Sequence, residues 1–362
     1  MSRVVCLITN IPAPYRIPVF DRLYSKLREQ NIDLIVLYLS RTEPNRLWKL
    51  PDIWHKHEIL PGRVISVGGV YFHWNPSLIK QLNLLKPIAV ITCGFDFAMM
   101  QGFLWSVLKR VPHISFSDGT LDSESNIGFF RRLTRKIVIK NSHSLVGASL
   151  KTLSLFQHYG AARKDCFQSC LCVDNSVYID RTQKKAFDLL YVARIVRGKM
   201  PELIIEIMEA LGGDYSLEIV GDGNLRGWFI DTLAQKKVKY NYDGFVQPEF
   251  IPRFYQSSSL LLFPTRSDSW GVVANEACAA GVPVLTTESA GVAGELIVHG
   301  ENGFVLPPLA HVWADHIRLL LSDQKLYQQM SRNAFNSVQS YNYESASSGL
   351  LQAVLNTVNG SC

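Results

Sequence analysis

The stretch from Asp268 to Glu276 holds the residues whose types and spacing most directly suggest chemistry. Two carboxylates stand eight positions apart around a lone glycine, Gly271. Glycine lets a backbone approach a ligand closely, and the first amides of a helix have no partner inside it, so the residues after Gly271 are suited to hold an anion. We expect Asp268 to lie in the loop before a helix and Glu276 about one turn into it, so that they grip different parts of one extended anionic ligand.

A second group of charged side chains follows an apolar run that predicts a strand over residues 189–193. Arg194 and Lys199 stand five positions apart between this strand and a predicted helix. Arginine can bind an oxyanion through two parallel bonds and lysine acts as a mobile point charge, so the two can converge on one diphosphate. Cations are unfavourable at a helix start unless an anion compensates, which favours this interpretation over simple surface basicity.

The first stretch resembles the signature of retaining glycosyltransferases of the GT-B fold, glycosyltransferase family 4. Members usually read Glu-Gly-Phe-Gly-(x4)-Glu, followed by a Gly-x-Pro-Val exit into a strand. Here Asp268 replaces the first Glu and Ser-Trp replaces Gly-Phe, whereas Gly271, Glu276 and the exit Gly281-Val-Pro-Val284 match. The alternative is an ordinary loop–helix–strand unit with surface acids.

The second group is similar to the family's Gly-Arg-Leu-x-x-x-Lys-Gly motif. Arg194 and Lys199 match its two cations, whereas Ala193 replaces the first Gly and Met200 the last. The resemblance implies that Arg194 and Lys199 are catalytic, because in the family these two positions bind the donor diphosphate and would neutralise it as it departs.

The resemblance also implies which part of the donor each of the other residues would bind. Asp268 would hold hydroxyls of the donor sugar, and Glu276 would accept from the ribose hydroxyls. The backbone amides around Val272 and Val273, just after Gly271, would help Arg194 and Lys199 to bind the diphosphate. The leaving phosphate would itself take the acceptor proton, so no side-chain base is required.

Further matches to the family occur between the two main motifs. Residues 217–223 resemble its strand-Gly-Asp-Gly turn, which makes Gly221 a candidate binding residue. Phe245 and Val246 fall in the segment that lines the nucleobase in the family. A turn in any alternating α/β chain can have the first pattern, and a buried strand end is the alternative for the second.

The N-terminal half matches the family more loosely. Residues 10–18 resemble the opening loop of bacterial members that assemble surface polysaccharides, which makes Arg16 a candidate substrate-binding residue. Asp118 stands where many members have a His-Gly pair, and there it would face the donor sugar or the acceptor in catalysis. A turn aspartate before Gly119 is the alternative.

The resemblance implies a retaining glycosyltransferase, specifically a hexosyltransferase of cell-surface polysaccharide biosynthesis. It would move a sugar from a UDP- or GDP-sugar to a hydroxyl of a glycan or lipid-linked glycan acceptor. A nucleotide-sugar epimerase of the same fold and a non-catalytic sugar-nucleotide-binding protein are the alternatives; the Asp268 substitution weakly favours the second. The sequence has no Asp-x-Asp motif and no HxxxH pair on a clear helix, so we expect neither a metal nor another cofactor.

Composition indicates an α/β protein of two domains. The chain has 362 residues, of which 47% are hydrophobic and 19% charged, and this length exceeds what one core usually covers. Its seven cysteines include no CxxC pair, which favours reduced thiols in the cytoplasm. The longest apolar runs fall well below the roughly 18 residues that a membrane span needs.

Charge is divided unevenly along the chain. Residues 1–180 hold 22 Lys and Arg against 13 Asp and Glu, whereas residues 181–362 hold 15 against 18. The basic half implies an anionic partner, and because no nucleic-acid-binding motif is present, a membrane surface or a lipid-linked phosphate fits better. Residues 128–140 predict a basic amphipathic helix suited to peripheral binding at the inner face of the cytoplasmic membrane; a packed helix with a solvated basic face is the alternative.

Short apolar strands and helical stretches alternate twice along the chain. The first series includes strands over residues 4–9, 32–39 and 89–92, and the second begins near Phe187 with strands over 189–193, 216–220 and 260–263. This alternation predicts two Rossmann-like, doubly wound domains that face a cleft. We expect an acceptor-binding domain over residues 1–172, a nucleotide-sugar-binding domain over 173–340 and a C-terminal helix over 341–362 that packs back on the first domain. The polar run 181–185 would be the linker.

Overall fold

The computed structural model describes residues 3–44, 49–67, 70–125, 127–179 and 185–360. The chain divides into two compact units: Met1–Leu171 with Tyr343–Cys362, and Cys172–Asn342. Most of the predicted linker, residues 181–184, lies outside the described residues.

The first unit is built on a sheet of seven parallel strands in the order β3-β2-β1-β6-β7-β8-β9, beside a separate antiparallel pair, β4 and β5. Four consecutive residues of the central strand β1 are fully buried, as expected for a parallel strand covered on both faces. The strands are β1 (Arg3–Thr9), β2 (Ile32–Tyr38), β3 (His57–Ile59), β4 (Arg63–Val67), β5 (Val70–Trp74), β6 (Ala89–Cys93), β7 (His113–Ser117), β8 (Ser144–Gly147) and β9 (Cys166–Gln168).

Helices connect these strands and bury their apolar stripes against the sheet. In the first helix, Val19, Phe20, Leu23 and Leu27 recur at helical spacing and are buried, while Pro18 occupies the first turn, where its missing amide costs nothing. The helices are α1 (Ile17–Glu29), α2 (Leu78–Leu85), α3 (Phe97–Lys109), α4 (Phe129–Lys140) and α5 (Leu150–His158).

The second unit repeats the plan with six parallel strands in the order β12-β11-β10-β13-β14-β15. These are β10 (Phe187–Val192), β11 (Ser216–Val220), β12 (Lys239–Gly244), β13 (Ser258–Phe263), β14 (Val284–Thr286) and β15 (Gly303–Val305). Their helices are α6 (Pro201–Leu211), α7 (Arg226–Gln235), α8 (Pro252–Ser257), α9 (Val272–Ala279), α10 (Ala310–Ser322) and α11 (Gln324–Val338).

The last helix, α12 (Tyr343–Asn359), belongs to the first unit. It packs on α1 and on β8 and β9, and its approach to the sheet is so close that a Cβ at Gly349 would lie 1.7 Å from the carbonyl oxygen of Gln168. Thr357 Oγ1 also makes a hydrogen bond of 2.8 Å with Ser144 Oγ. In the described part of the chain, no helix is both long enough and apolar enough to cross a membrane.

The predicted doubly wound α/β architecture is confirmed, and the predicted strands near residues 4–9, 189–193 and 216–220 are present. The sequence interpretation missed α2, α10 and α11, the β4–β5 pair, and the short strands β3, β9 and β15. The six cysteines for which the structure gives a state, all those before Cys362, are free thiols.

Candidate functional site

In the second unit, the strand order reverses between the neighbours β10 and β13. Open parallel sheets bind ligands beyond the carboxyl ends of their strands at such a reversal. The loop after β10 carries Arg194 and Lys199, and the loop after β13 carries Asp268 and Gly271. The structure therefore brings these four predicted residues to one edge of the sheet.

Lys199 and Asp268 form an ion pair, in which the lysine Nζ donates to Oδ2 of the aspartate. The lysine Nζ also lies 5.4 Å from the ring centre of Phe263, at the end of β13. Both charged side chains are about one-fifth exposed, which leaves the pair open to a ligand from the solvent. Arg194 is exposed.

Main-chain hydrogen bonds join the two loops that carry this pair. The carbonyl of Gly198 accepts from the amide of Arg266 at 2.9 Å and from Thr265 Oγ1 at 3.1 Å. Tyr191 extends from β10 and donates its hydroxyl to the carbonyl of Lys199 at 2.8 Å. The backbone that presents Lys199 is thus fixed before any ligand arrives, which lowers the ordering cost of binding.

The Asp268 loop is fixed on its other side by the segment after β14. The amide of Asp268 donates to the carbonyl of Ser289 at 3.3 Å, and the amide of Gly291 donates back at 2.8 Å. A Cβ at Gly291 would lie 2.0 Å from the carbonyl oxygen of Ser269, so only glycine permits this approach. Oδ1 of Asp268 accepts from the amide of Trp270 at 3.1 Å, which orients the carboxylate toward Lys199.

Gly271 precedes the first turn of α9, and this position requires glycine for two reasons. Its φ is +104°, in the left-handed region, and a Cβ there would lie 2.3 Å from Cε1 of Phe263. Val272 and Val273 follow as the first two helical residues and are half-buried. The positive end of the helix dipole therefore lies beside the cation-bearing loop, an arrangement suited to phosphate.

Glu276 lies in the second turn of α9 and accepts two tyrosine hydroxyls. Tyr255 donates to Oε2 at 2.6 Å and Tyr178 to Oε1 at 3.1 Å. Burial raises the pKa of Glu276 to about 7, and the two hydroxyl bonds act in the opposite direction. Each carboxylate oxygen retains a lone pair for a further donor such as a ribose hydroxyl.

The remaining predicted residues of the second unit lie in neighbouring turns. Gly221 has a φ of +135°, and a Cβ there would lie 1.8 Å from the carbonyl oxygen of Ala193, next to Arg194. Its turn therefore supports the cation-bearing loop rather than offering a side chain. Phe245 and Val246 follow β12, and Phe245 is exposed.

The predicted residues of the first unit, Arg16 and Asp118, both line a cavity of about 350 Å³ at the carboxyl ends of β1, β6 and β7. The guanidinium of Arg16 lies 4.4 Å from the ring centre of Phe116, and its Nη1 donates to the carbonyl of Ser169 at 3.5 Å. Asp118 is exposed at the end of β7. The strand order of this unit reverses between β1 and β6, so the cavity occupies the position that the cation-bearing loops occupy in the second unit.

Sequence reasoning missed the two tyrosines that hold Glu276, and it missed the acids that share the cavity with Arg16. Tyr178 stands 98 positions and Tyr255 stands 21 positions from Glu276 in the chain, so no local motif connects them. Glu43 and Asp96 line the cavity from two different loops. Asp96 gave a local signal, because it directly follows a strand and precedes a helix that it caps through the amide of Met99.

Comparison with known proteins found similarity to one family model, to a curated enzyme and to solved structures. Residues 178–337, which lie within the second unit, match the family model described as Glycosyl transferases group 1. Over 152 residues the chain is 32% identical to an alpha-D-kanosaminyltransferase from Streptomyces kanamyceticus. That match covers 40% of this chain and 39% of the enzyme, less than half of either.

Two solved structures are similar over almost the whole chain. Alr3699/HepE of Anabaena, in complex with UDP and glucose, gives a TM-score of 0.75 at 15% identity and covers 97% of this chain and 99% of that one. WaaG, a glycosyltransferase involved in lipopolysaccharide biosynthesis, gives a TM-score of 0.69 at 16% identity and covers 96% of this chain and 98% of that one. These likenesses show the fold, that of GT-B glycosyltransferases with two Rossmann-like domains.

Proposed function

We propose that the protein is a retaining glycosyltransferase that moves a hexose from a UDP- or GDP-sugar to a hydroxyl of a glycan or lipid-linked glycan. The observation that carries this proposal is the meeting of Lys199, Asp268 and the start of α9 at the strand-order reversal of the second unit. A diphosphate there would meet a lysine, a nearby arginine and the positive end of a helix. Loss of a diphosphate leaving group is the step that such fixed positive charges accelerate.

The two carboxylates have separate roles in this proposal. Asp268 holds Lys199 in place in the free protein and accepts hydroxyls of the donor sugar when the phosphates engage the lysine. Glu276, held by Tyr178 and Tyr255, accepts the ribose hydroxyls. The names of similar proteins support the donor class, because HepE was solved with UDP and glucose and the kanosaminyltransferase is named for transfer of a sugar.

Cell-surface polysaccharide assembly is the proposed setting. The opening loop at residues 10–18 supports it through the resemblance to bacterial enzymes of that kind. WaaG, which is similar in fold, is named for a role in lipopolysaccharide biosynthesis. An acceptor carried on a lipid would place the reaction at a membrane surface.

Helix α4 supports binding to that surface. Phe129 and Phe130 are 73% and 81% exposed, and Leu133 and Ile137 are exposed farther along the helix. The exposed cations Arg131, Arg132, Lys136 and Lys140 lie on the same helix. Exposed aromatic rings and cations on one helix suit the boundary between anionic headgroups and acyl chains. We therefore propose peripheral attachment to anionic lipid on the cytoplasmic side.

The proposed mechanism requires no metal, because Arg194, Lys199 and the helix amides supply the charge that a divalent cation supplies elsewhere. Turnover in the presence of excess EDTA should equal turnover with added Mg²⁺. A loss of activity in EDTA that Mg²⁺ or Mn²⁺ restores would contradict this part of the proposal.

Screening nucleotide sugars by thermal unfolding tests the donor site first. A ligand at 100 times its dissociation constant should stabilise the protein by about 2.7 kcal/mol. The stabilising donor is then incubated with glycan acceptors, and NMR of the product should show the anomeric configuration of the donor. Inverted product would contradict retention, and epimerised nucleotide sugar without an acceptor would favour the epimerase. A donor that binds without turnover across the acceptor panel would indicate a binding protein.

A further inference from the structure

The cavity of the first unit is lined by more acidic than basic side chains, although residues 1–180 as a whole are basic. Among the described residues that line it, three carboxylates, Glu43, Asp96 and Asp118, face one guanidinium, that of Arg16. The half-buried rings of Tyr15 and Phe95 supply an aromatic wall, whereas Phe116 is buried beneath Arg16. Its volume of about 350 Å³ lies within the range of roughly 300–1,000 Å³ that is typical of small-molecule sites.

Arg16 already has partners of its own. Its guanidinium stacks on Phe116 and bonds to the carbonyl of Ser169, so its position is fixed from two sides. A cation held in this way contributes planar N–H donors to a ligand, while the surrounding carboxylates offset its charge. The lining as a whole is therefore acceptor-rich.

A buried histidine stands directly behind two of the carboxylates. His73, on β5, is 2% exposed, and its Nε2 lies 3.6 Å from Oε1 of Glu43 and its Nδ1 lies 4.0 Å from Oδ2 of Asp96. Within the described residues, neither ring nitrogen has a hydrogen-bond partner. The imidazole therefore lies close to both acids at one edge of the cavity and makes no hydrogen bond to either.

Asp96 has donors from the protein at the edge of the cavity, namely the amides of Met99 and Ala98 and the side chain of Asn10. Its Oδ1 accepts from the amide of Met99 at the start of α3, whereas Oδ2 is directed toward the histidine at a distance too long for a hydrogen bond. Burial raises the pKa of this carboxyl, whereas the hydrogen bonds from Met99, Ala98 and Asn10 and the nearby His73 act in the opposite direction. A donor from a bound molecule would stabilise a carboxylate in this environment.

We propose that this cavity binds the acceptor as a neutral or amino-bearing sugar ring and excludes phosphate and carboxylate groups. Hydroxyl or ammonium donors of the ring would bond to Glu43, Asp96 and Asp118, and its apolar face would lie against the aromatic wall. A phosphate or uronate would meet three like charges and one cation. Any phosphate of a lipid carrier therefore lies outside the cavity. Naming the ligand an acceptor rests on the proposed function, whereas its chemical class rests on the cavity alone.

Binding of simple sugars to the full chain, without nucleotide sugar, tests the proposal. The probes are glucose, galactose and mannose, each as the neutral methyl glycoside, the 2-amino sugar and the uronate. Saturation-transfer NMR should detect at least one neutral or amino sugar, and the matching uronate should bind at least tenfold more weakly. Equal or tighter binding of uronates, or binding by none of the probes, would overturn the proposal.

Variants locate the binding in this cavity. Asp96→Asn keeps an oxygen that can cap α3, and combined with Glu43→Gln it should reduce the preference for the amino sugar over the uronate at least tenfold. The exposed Asp52→Asn serves as the matched control and should leave the preference unchanged. An unchanged preference in a double variant whose thermal unfolding matches wild type would place the sugar elsewhere.

Nucleotide binding by the same protein separates this inference from the proposed function. If the sugars bind as expected but no UDP- or GDP-sugar does, the proposed donor site fails and the cavity stands. If a donor binds and is turned over but the sugar preference is absent, the cavity proposal fails alone.

Discussion

The two units share a strand order, but they place opposite charges where that order reverses. In the second unit, the loop after β10 presents Arg194 and Lys199 beside the start of α9, and the loop after β13 presents Asp268 as the ion-pair partner of Lys199. In the first unit, the loops after β1, β2, β6 and β7 line a cavity in which three carboxylates outnumber one guanidinium. The same architecture thus prepares one position for an anion and the other for hydroxyl or ammonium donors.

These local charges run against the charge of each half of the chain. Residues 1–180 are strongly basic and residues 181–362 are slightly acidic. The excess cations of the first half lie partly on α4, none of whose residues lines the cavity. Net charge therefore indicates what the surface attracts, whereas the loops at the strand ends decide what each site binds.

The largest effect is expected from the cations of the second unit. Arg194→Ala or Lys199→Ala should lower kcat by on the order of 10² or more, as loss of a group that stabilises the leaving diphosphate does. Steady-state kinetics with the identified donor provide the measurement. Arg197→Ala is the matched control, because Arg197 is exposed in the same loop and has no assigned role. Near-normal turnover in a folded Lys199→Ala protein would remove the lysine from the mechanism.

Two glycines with nearly the same φ should respond differently to a methyl group. Gly271 and Gly94 have φ values of +104° and +105°, but only at Gly271 would a Cβ meet another atom, at 2.3 Å. Gly94→Ala should cost about 1–3 kcal/mol of backbone strain, and Gly271→Ala should cost about 1–3 kcal/mol more through the clash with Phe263. Denaturant unfolding measures both variants. Equal losses would mean that the ring of Phe263 moves aside freely.

Carboxylate titration should make the second unit less stable as pH rises. The folded-state pKa of Glu276 is about 7 because of burial, above its ordinary 4.5, so the folded protein binds more protons in this window. The free energy of unfolding should therefore fall as pH rises from about 4.5 to 7, by up to about 1.4 kcal/mol per pH unit for one proton.

Thermal unfolding across that pH range should show a smaller slope in Glu276→Gln than in wild type. Part of the slope should remain, because burial also raises the pKa of Glu218 to about 7. The exposed Glu301→Gln is the control and should retain the wild-type slope. A slope that is unchanged in Glu276→Gln would mean that this carboxyl is ionised at low pH in the folded protein.

The last effect is expected at the surface of α4, outside both sites. Charge reversal of Arg131, Arg132 and Lys136 should weaken binding to anionic vesicles, because each cation near such a surface contributes about 1 kcal/mol. Arg135 is left unchanged, since its Nε bonds to Glu124 at 2.8 Å and supports the fold. Vesicle sedimentation at low and high salt provides the measurement.

Reversal of three exposed lysines elsewhere, Lys164, Lys237 and Lys325, changes the net charge equally and serves as the control. It should leave vesicle binding close to that of wild type. Wild-type protein that ignores anionic vesicles at low salt would leave the exposed rings of α4 without a membrane role.

The spacing of apolar residues, and the glycines and prolines between apolar runs, predicted the fold. They could do so because strands such as β1 and β10 are short local runs of apolar residues that the fold buries. They also predicted that Asp268 precedes a helix, because Gly271 and the alanine-rich run after it are local signals. Contacts that depend on the tertiary fold could not be predicted in this way. Tyr178 reaches Glu276, and His73 reaches Glu43 and Asp96, only after distant segments have packed together.

Titration of wild type and Lys199→Ala with UDP, GDP and the corresponding nucleosides tests the central claim most directly. If the second unit holds a diphosphate on Lys199 and the start of α9, one diphosphate should bind wild type at least 10²-fold more tightly than its nucleoside. In Lys199→Ala that advantage should fall at least tenfold while nucleoside affinity stays the same. Equal binding of diphosphate and nucleoside by wild type, or an undiminished advantage in the variant, would contradict the account.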